Sequence, residues 1–295
     1  KNIKNEVEVA NTKKSHLRDG VYMAKYIYWL KNQVKNGADL TEKTASDYLD
    51  NLRREDELFL DLSFPTISGY ADNGAIVHYE AEYETAKKLE AKGLYLFDSG
   101  ATYKDGTTDV TRTISLGENT YEEKLHYTLV TIGMLRLLNT KFKRGAIGVS
   151  LDIKAREALW DYGLDYNHGT GHGVGFVNTV HEMPTSIRNK INKDVYRNLE
   201  FEPGMIMSDE PGVYISGKHG IRMEILMTVV DKGDGFLGFE PITMAPIDNE
   251  PLLVDVMTKR DIEFYNNYQK QVYDSISGGL NEEEKAWLKE VTKEI

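Results

Sequence analysis

The chain has 295 residues, 40% hydrophobic and 28% charged, with a formal net charge of −11 and no cysteine. That length supports a real core in one large domain or two ordinary ones, and the missing cysteines exclude disulfides and thiolate metal sites and fit a cytoplasmic protein. The acidic balance argues against a nucleic-acid partner, whose phosphates need lysine and arginine, and no apolar run reaches the ~20 residues of a membrane span.

Val7, Ala10, Leu17, Val21, Ala24 and Tyr28 follow steps of three and four. They predict an amphipathic helix running to about Val34 and stopped by Gly37. Gly20 inside it is expected to cost about 1 kcal/mol relative to alanine. Thr41 caps a second helix, TEKTASDYLDNLRRE. Short β-type runs follow: FLDLSF, a break at Pro65 and Gly69, and GAIVHY over 74–79. Residues 80–92 are charged and alanine-rich, either a short helix or a solvated connection.

The stretch 94–113, LYLFDSGATYKDGTTDVTRT, carries Asp98 at the end of an apolar run and Asp109 in a β-branched segment. Asp105-Gly106 between them favours a tight hairpin turn. With those two as the central turn residues, 104 pairs with 107 and 102 with 109. Asp98 and Asp109 then share one sheet face, and two carboxylates aimed the same way call for a cation. The simple register leaves them roughly 13 Å apart along the strand, too far for a metal pair about 3.5–4 Å apart. Convergence therefore requires 99–108 to form a wide or bulged loop.

Helices are expected over 121–141 and 150–162, the latter ending at Gly163. From His168 to about Ile247 the pattern is β with glycine turns, and two helices start at Thr258 and Asn281. No linker or repeat interrupts this order. It predicts a single domain over 1–295, α+β in class, in two similar halves with helices covering one side of a sheet.

His168-Gly-Thr-Gly-His172-Gly-Val-Gly175 alternates glycine with larger residues. As a strand it presents a bare backbone face, where another backbone or a ligand comes close; two buried histidines in a glycine-rich turn is the plainer alternative. Glu210 in SDEPG sits at a strand end fixed by Pro211, and alone it also reads as a turn carboxylate. GIRMEILMTV reads as one buried strand with Arg222 and Glu224 on one face, either an ion pair or a ligand position. His78 and His181 are each compatible with ordinary core or turn histidines. Taken jointly, Asp98, Asp109, His172, Glu210 and Glu224 are four carboxylates and one imidazole at strands or strand ends. Their charge balances two divalent cations, and the donor set suits Mn²⁺, Co²⁺, Fe²⁺ or Zn²⁺. Such a pair supports hydrolysis, with His78, His168 and His181 available for proton transfer and oxyanion stabilisation.

FDSGATYKDGTTDVTRT, HGTGHGVG, SDEPGVY and GIRMEIL, in this order, resemble the pita-bread metallopeptidases, nearest to the cytosolic-type aminopeptidase P group. The likeness extends through FPTISGYADNGAIVHY, ALWDYGLDY and FEPITMAPID to the terminal AWL. It implies a curved, mostly antiparallel sheet in two pseudo-symmetric halves covered by helices. It also implies two metals, usually Mn²⁺: Asp98 on one, His172 and Glu210 on the other, Asp109 and Glu224 bridging. The implied reaction is hydrolysis of the bond between an N-terminal residue and a following proline by a metal-bridging hydroxide, with Glu210 as proton acceptor. His78 and His181 would bind substrate or stabilise the intermediate, His168 would line the pocket, and Tyr214 and Arg222 would support the proline subsite. The implied partners are peptides with proline second, with no nucleic acid and no membrane, and a homodimer is compatible. Prolidase or methionine-aminopeptidase activity, or a non-catalytic peptide-binding domain, are the alternatives. VHEMP departs from a usual glycine before the proline, which touches local pocket shape. Relatives carry further N-terminal domains, so the resemblance implies a catalytic domain without them.

Overall fold

The computed structural model describes residues 1–177, 179–191, 193 and 199–295. Helix α1 (Glu6–Lys35) is capped by Asn5, and the chain turns away at Gly37, whose φ of 75° suits glycine. Its buried face is not the expected apolar stripe. Val7 and Leu17 are 68% and 38% exposed, whereas Thr12, His16, Asp19, Met23, Ile27, Leu30 and Val34 are buried. The stripe misleads because half of the true inner face is polar: Asp19 there meets Arg53 of α2 (Glu42–Arg54). Nor is Gly20 a defect, since a Cβ there would collide with the carbonyl oxygen of Met244.

Strands β1 (Phe59–Leu62), β2 (Ile67–Tyr70), β3 (Leu94–Ser99), β4 (Ala101–Tyr103), β5 (Gly106–Thr107) and β6 (Val110–Ser115) form two three-stranded sheets, β2-β3-β6 and β1-β4-β5. Helix α3 (Tyr121–Leu138), β7 (Phe142–Lys143), α4 (Gly148–Leu151) and α5 (Ile153–Trp160) follow. Then come β8 (Gly171–Gly173), β9 (Glu182–Ile187), β10 (Ile206–Asp209), β11 (Gly212–Ile215), β12 (His219–Arg222), β13 (Ile225–Gly233) and β14 (Phe236–Pro241). The expected β region 168–247 holds them, with residues 178, 192 and 194–198 outside the described set. Strands β7-β14-β13-β10-β8-β9 make a six-stranded sheet and β11-β12 a ribbon, and every pairing between these strands is antiparallel. The chain ends in α6 (Lys259–Ile276) and α7 (Glu282–Val291), capped by Thr258 and Asn281 as expected from their side-chain oxygens.

Two large apolar cores form, beside a small cluster of Val174, Ile206, Leu226 and Ile242. One joins Met23, Ile27 and Leu30 of α1 and Leu49 of α2 to Tyr95, Phe97 and Ile114 of the small sheet. The other packs α3, α5 and α6 against the six-stranded sheet through Leu135, Leu159, Tyr265, Met207, Met227 and Val229. The expected single strand GIRMEILMTV breaks at Met223-Glu224, where the chain passes from the ribbon to the large sheet. Buried Arg112 of β6 fills that break, donating to the carbonyls of Glu224, Ala245 and Pro246 at 2.6, 2.8 and 3.0 Å. Its guanidinium replaces ladder partners the break removes.

GAIVHY also differs from expectation. Ala71–Ala75 is a 3-10 turn and the chain from 76 to 79 is not a strand. Fully buried Glu42 organises this loop instead: its carboxylate accepts from Tyr70 N, Asn73 Nδ2, Tyr79 Oη and Lys87 N at 2.7 to 3.0 Å. A buried carboxylate gathering four donors substitutes for a β ladder. Residues 80–92 are connection, not helix. Among the described residues, no helix is long and apolar enough to cross a membrane.

Candidate metal centre

The hairpin carrying both aspartates has the tight turn displaced by one residue. Tyr103 pairs with Gly106 and Thr102 with Thr107, so Lys104 and Asp105 are the central residues and Thr102 does not face Asp109. Two contacts with α1 set this register. Arg18 holds the Asp105 carboxylate through bonds of 2.8 and 2.7 Å, and Gly106 packs where a Cβ would strike Ser15 Oγ. Between the turn and the main ladder the register is unchanged, and Thr108 N donates to the Ala101 carbonyl at 2.8 Å. Asp98 pairs with Thr111 and Ser99 with Val110, while a Cβ at Gly100 would collide with the Thr108 carbonyl. The expected wide or bulged loop is instead a short hairpin in continuous register, and the displaced turn alone sets Asp109 two residues along from Thr111, the partner of Asp98. The convergence it was meant to supply is present: Asp98, Asp109 and Glu224 each bring a carboxylate oxygen within 4.8 Å of the others.

Two further groups overlap this one. His172, Glu210 and Glu224 meet within the same distance, as do Asp109, His172 and His181. Glu224 is placed by the strand break, its N–H donating to Thr111 O at 3.1 Å and its Oε2 accepting from Thr111 Oγ1 at 2.8 Å. His172 lies on β8, where a Cβ at Gly171 would strike the Ser208 carbonyl of β10, so the bare glycine face brings two backbones together. Only 171–173 of the glycine segment is strand. Glu210 follows β10, and Ser208 ties it to His172 by donating to Glu210 Oε1 at 3.0 Å and accepting from His172 N at 2.9 Å.

The donor atoms face one another without enough positive charge. His172 Nδ1 donates to the Gly173 carbonyl at 2.8 Å, which leaves Nε2 as the lone-pair nitrogen of the neutral ring. That Nε2 stands 3.4 Å from Asp109 Oδ2 and 3.3 Å from Glu210 Oε1. Asp98 Oδ1 and Glu224 Oε1 are buried with no hydrogen-bond partner. Leaving anionic oxygens so is costly unless a cation meets them. Burial raises Asp98, with the Arg222 charge opposing and the Asp109 charge adding. It raises Glu210 to about 7, partly offset by His172, and lifts Glu224 well above the usual carboxylate range, reinforced by Asp109, Glu210 and Asp98. Burial would depress His172, but the bond to Asp109 and the charges of Glu210 and Asp109 outweigh it and carry it to about 9. Orphaned oxygens, an imidazole nitrogen set between two carboxylates, and raised carboxylates together fit a pair of divalent ions.

Arg222 does not pair with Glu224. Its Nη2 and Nε donate to Asp98 Oδ2 at 2.8 and 3.2 Å, and its Nη1 donates to Tyr214 Oη at 2.8 Å. Tyr214 bonds on to His168 Nε2 at 2.8 Å, so it stands behind the pocket wall and does not line it. Burial lowers His168 to about 4, and lowers His181 with the His172 charge adding to the effect; both rings are neutral at pH 7. The five ligand-type residues line one cavity of about 450 Å³ with His78, His168, His181, Arg222 and an apolar wall of Phe64, Pro65, Ile67 and Val77. Sequence reading missed Thr111, Ser208 and Arg188. Thr111 lies two residues from Asp109 and Ser208 two residues from Glu210, each ligand just beyond a strand end, a signal that alternation could have supplied; Arg188 carries no local signal.

Residues 10–231 match metallopeptidase family M24, and residues 235–295 match the C-terminal region of peptidase M24. Aminopeptidase P1 of Arabidopsis thaliana is 40% identical over 322 residues, covering 100% of this chain and 50% of that protein. The crystal structure of X-prolyl aminopeptidase from Caenorhabditis elegans, a cytosolic enzyme with a di-nuclear active site, superposes with a TM-score of 0.94 at 35% identity, covering 100% of this chain and 49% of the other. A Xaa-Pro dipeptidase from Bacillus anthracis gives 0.68 at 27% identity over 84% of this chain and 63% of its own. The chain thus spans about half the length of the curated relatives it matches. It belongs to metallopeptidase family M24 and carries that family's α+β pita-bread fold.

Proposed function

We propose that this chain is the catalytic part of a proline-specific aminopeptidase, a metallo-exopeptidase of the cytoplasm. It would hydrolyse the bond between an N-terminal residue and a following proline, using two divalent ions, Mn²⁺ foremost. The observation that carries the reading is the overlap of the ligand groups. Asp98, Asp109 and Glu224 form one, His172, Glu210 and Glu224 a second, and Asp109, His172 and His181 a third, so Glu224 is shared by the first two and Asp109 by the first and third, which supports the bridging roles of these two. When bound, such ions polarise a carbonyl and make a water acidic near neutral pH.

The chain's own residues supply the rest. Arg222 holds Asp98 by Oδ2 and leaves Oδ1 free for a cation. Ser208 orients Glu210, whose carboxylate is placed to take a proton from water and return it to the leaving proline nitrogen. Neutral His181 and cavity-lining His78 are available to donate to the carbonyl oxygen as it gains charge. Glu42, by holding the 70–87 loop, positions His78. The chain Arg222–Tyr214–His168 fixes the adjacent wall. A proline amide has no N–H to offer, and the apolar wall of Phe64, Pro65, Ile67 and Val77 provides shape recognition of the ring in its place.

The test is hydrolysis of an Xaa-Pro-Yaa peptide by chelator-treated protein before and after Mn²⁺ is added, beside Xaa-Ala-Yaa and an Xaa-Pro dipeptide. Cleavage of Xaa-Pro-Yaa restored by Mn²⁺ supports the proposal. Metal-dependent cleavage of the dipeptide alone would reassign the chain to the dipeptidase activity of the more distant relatives. No turnover by metal-loaded protein would overturn the proposal.

A further inference from the structure

Arg188 follows directly on the last residue of β9. That strand meets β8 through Gly171↔Ile187 and His172↔Ser186, and Thr170 N donates to the Ile187 carbonyl at 2.9 Å. Arg188 is thereby set opposite the segment that carries His168, with its guanidinium beside Gly169, and it lines the cavity of the metal centre. The cavity's other arginine, Arg222, is engaged by Asp98, Tyr214 and the Val77 carbonyl. Arg188 has no hydrogen bond or ion pair among the described residues, and its Nε is buried without an acceptor. Arg188 is half-buried, and a buried N–H left without an acceptor is costly in the free protein. At the wall of a binding cavity it matches a planar carboxylate, which accepts two parallel N–H···O bonds.

We propose that Arg188 forms a carboxylate subsite in this cavity, selecting substrates that bring a carboxylate to it, foremost the C-terminal carboxylate of a two- or three-residue peptide. The inference rests on the aminopeptidase reading above and names its substrate class. An extended residue spans about 3.3–3.6 Å, so the C-terminus of a tripeptide lies only one residue beyond the proline. A longer chain carries its terminus out to solvent. An acidic side chain after the proline delivers the same chemistry, and amidated peptides separate the two sources.

The experiment compares Ala-Pro-Ala, its C-terminal amide and Ala-Pro-Glu amide on Mn²⁺-loaded protein, with R188Q and R188K. The wild type should prefer the free acid over the amide by about 10–100-fold in kcat/KM, the worth of a charged hydrogen bond, expressed in KM with kcat little changed. R188Q should bring that ratio close to one, and R188K should keep part of it. A preference shared by Ala-Pro-Glu amide widens the subsite to carboxylates in general. Equal acid and amide values in the wild type, or an undiminished preference in R188Q, would overturn the subsite. Calorimetric binding of Pro-Ala and its amide tests it without turnover. Arg188-dependent preference for the acid there supports the subsite even if no peptide is cleaved, and equal affinities refute it.

Discussion

Two of the places where the chain buries charge resolve it in opposite ways. Under α1, Asp19 Oδ1 accepts from Arg53 Nε and Tyr103 Oη, each at 2.8 Å, and Oδ2 accepts from Arg53 Nη2 at 3.0 Å. Burial alone would raise Asp19, yet the Arg53 charge and bonds hold it below the ordinary carboxylate value. In the metal centre, Asp98, Glu210 and Glu224 move up instead, and an oxygen of Asp98 and one of Glu224 have no partner. One cluster is balanced from within and is part of the scaffold. The other lacks positive charge and is complementary to cations. Buried charge alone does not mark a site; an unmet balance does.

The sharpest way to break this contrast is to remove charge from each cluster. Glu224→Gln should lower kcat/KM on an Xaa-Pro-Yaa peptide by about 10³-fold or more, since the ions supply several kcal/mol of charge stabilisation. The metal-free fold should remain intact by circular dichroism, because a neutral isostere relieves a buried anion. Unimpaired turnover would remove Glu224 from the ligand set. Asp19→Ala should do the reverse, costing about 3–5 kcal/mol of stability in denaturant titrations by stranding buried Arg53. Metal affinity should be unaffected, and a loss of metal binding in that variant would blur the distinction drawn here.

Smaller effects sharpen it. Ser208→Ala removes the hydroxyl that links Glu210 to His172, and should weaken Mn²⁺ binding by about 10–100-fold; unchanged affinity would mean that the bond does not orient the ligands. The last effect is in pH. Carboxylates raised by folding stabilise the metal-free protein only while protonated. That contribution is complete below their unfolded values and is lost as pH climbs through about 7 for Glu210. Bound ions require the ionised forms, so the rise in Tm given by saturating Mn²⁺ should be larger at pH 7.5 than at pH 5.5. An equal rise at both would contradict the linkage.

Much of this was legible from residue chemistry. Thr41, Thr258 and Asn281 cap helices because capping is local, and the five ligand-type residues stood out as carboxylates and an imidazole in apolar or glycine-rich strands. What escaped was decided by distant partners. The inner face of α1 is polar because Arg53 awaits it, and the hairpin register follows Arg18 rather than the preferred Asp-Gly turn. GIRMEILMTV breaks because Arg112 can satisfy the exposed carbonyls, and GAIVHY is a loop because Glu42 collects its amides. Arg188 becomes notable only when the cavity around it is seen.

The most direct test of the central claim is calorimetric titration of Mn²⁺ into chelator-treated protein at pH 7.5, beside the Glu224→Gln variant. The account predicts saturable binding of two ions per chain with release of protons, and impaired binding in the variant. Absence of specific binding, or identical binding by both proteins, would contradict it.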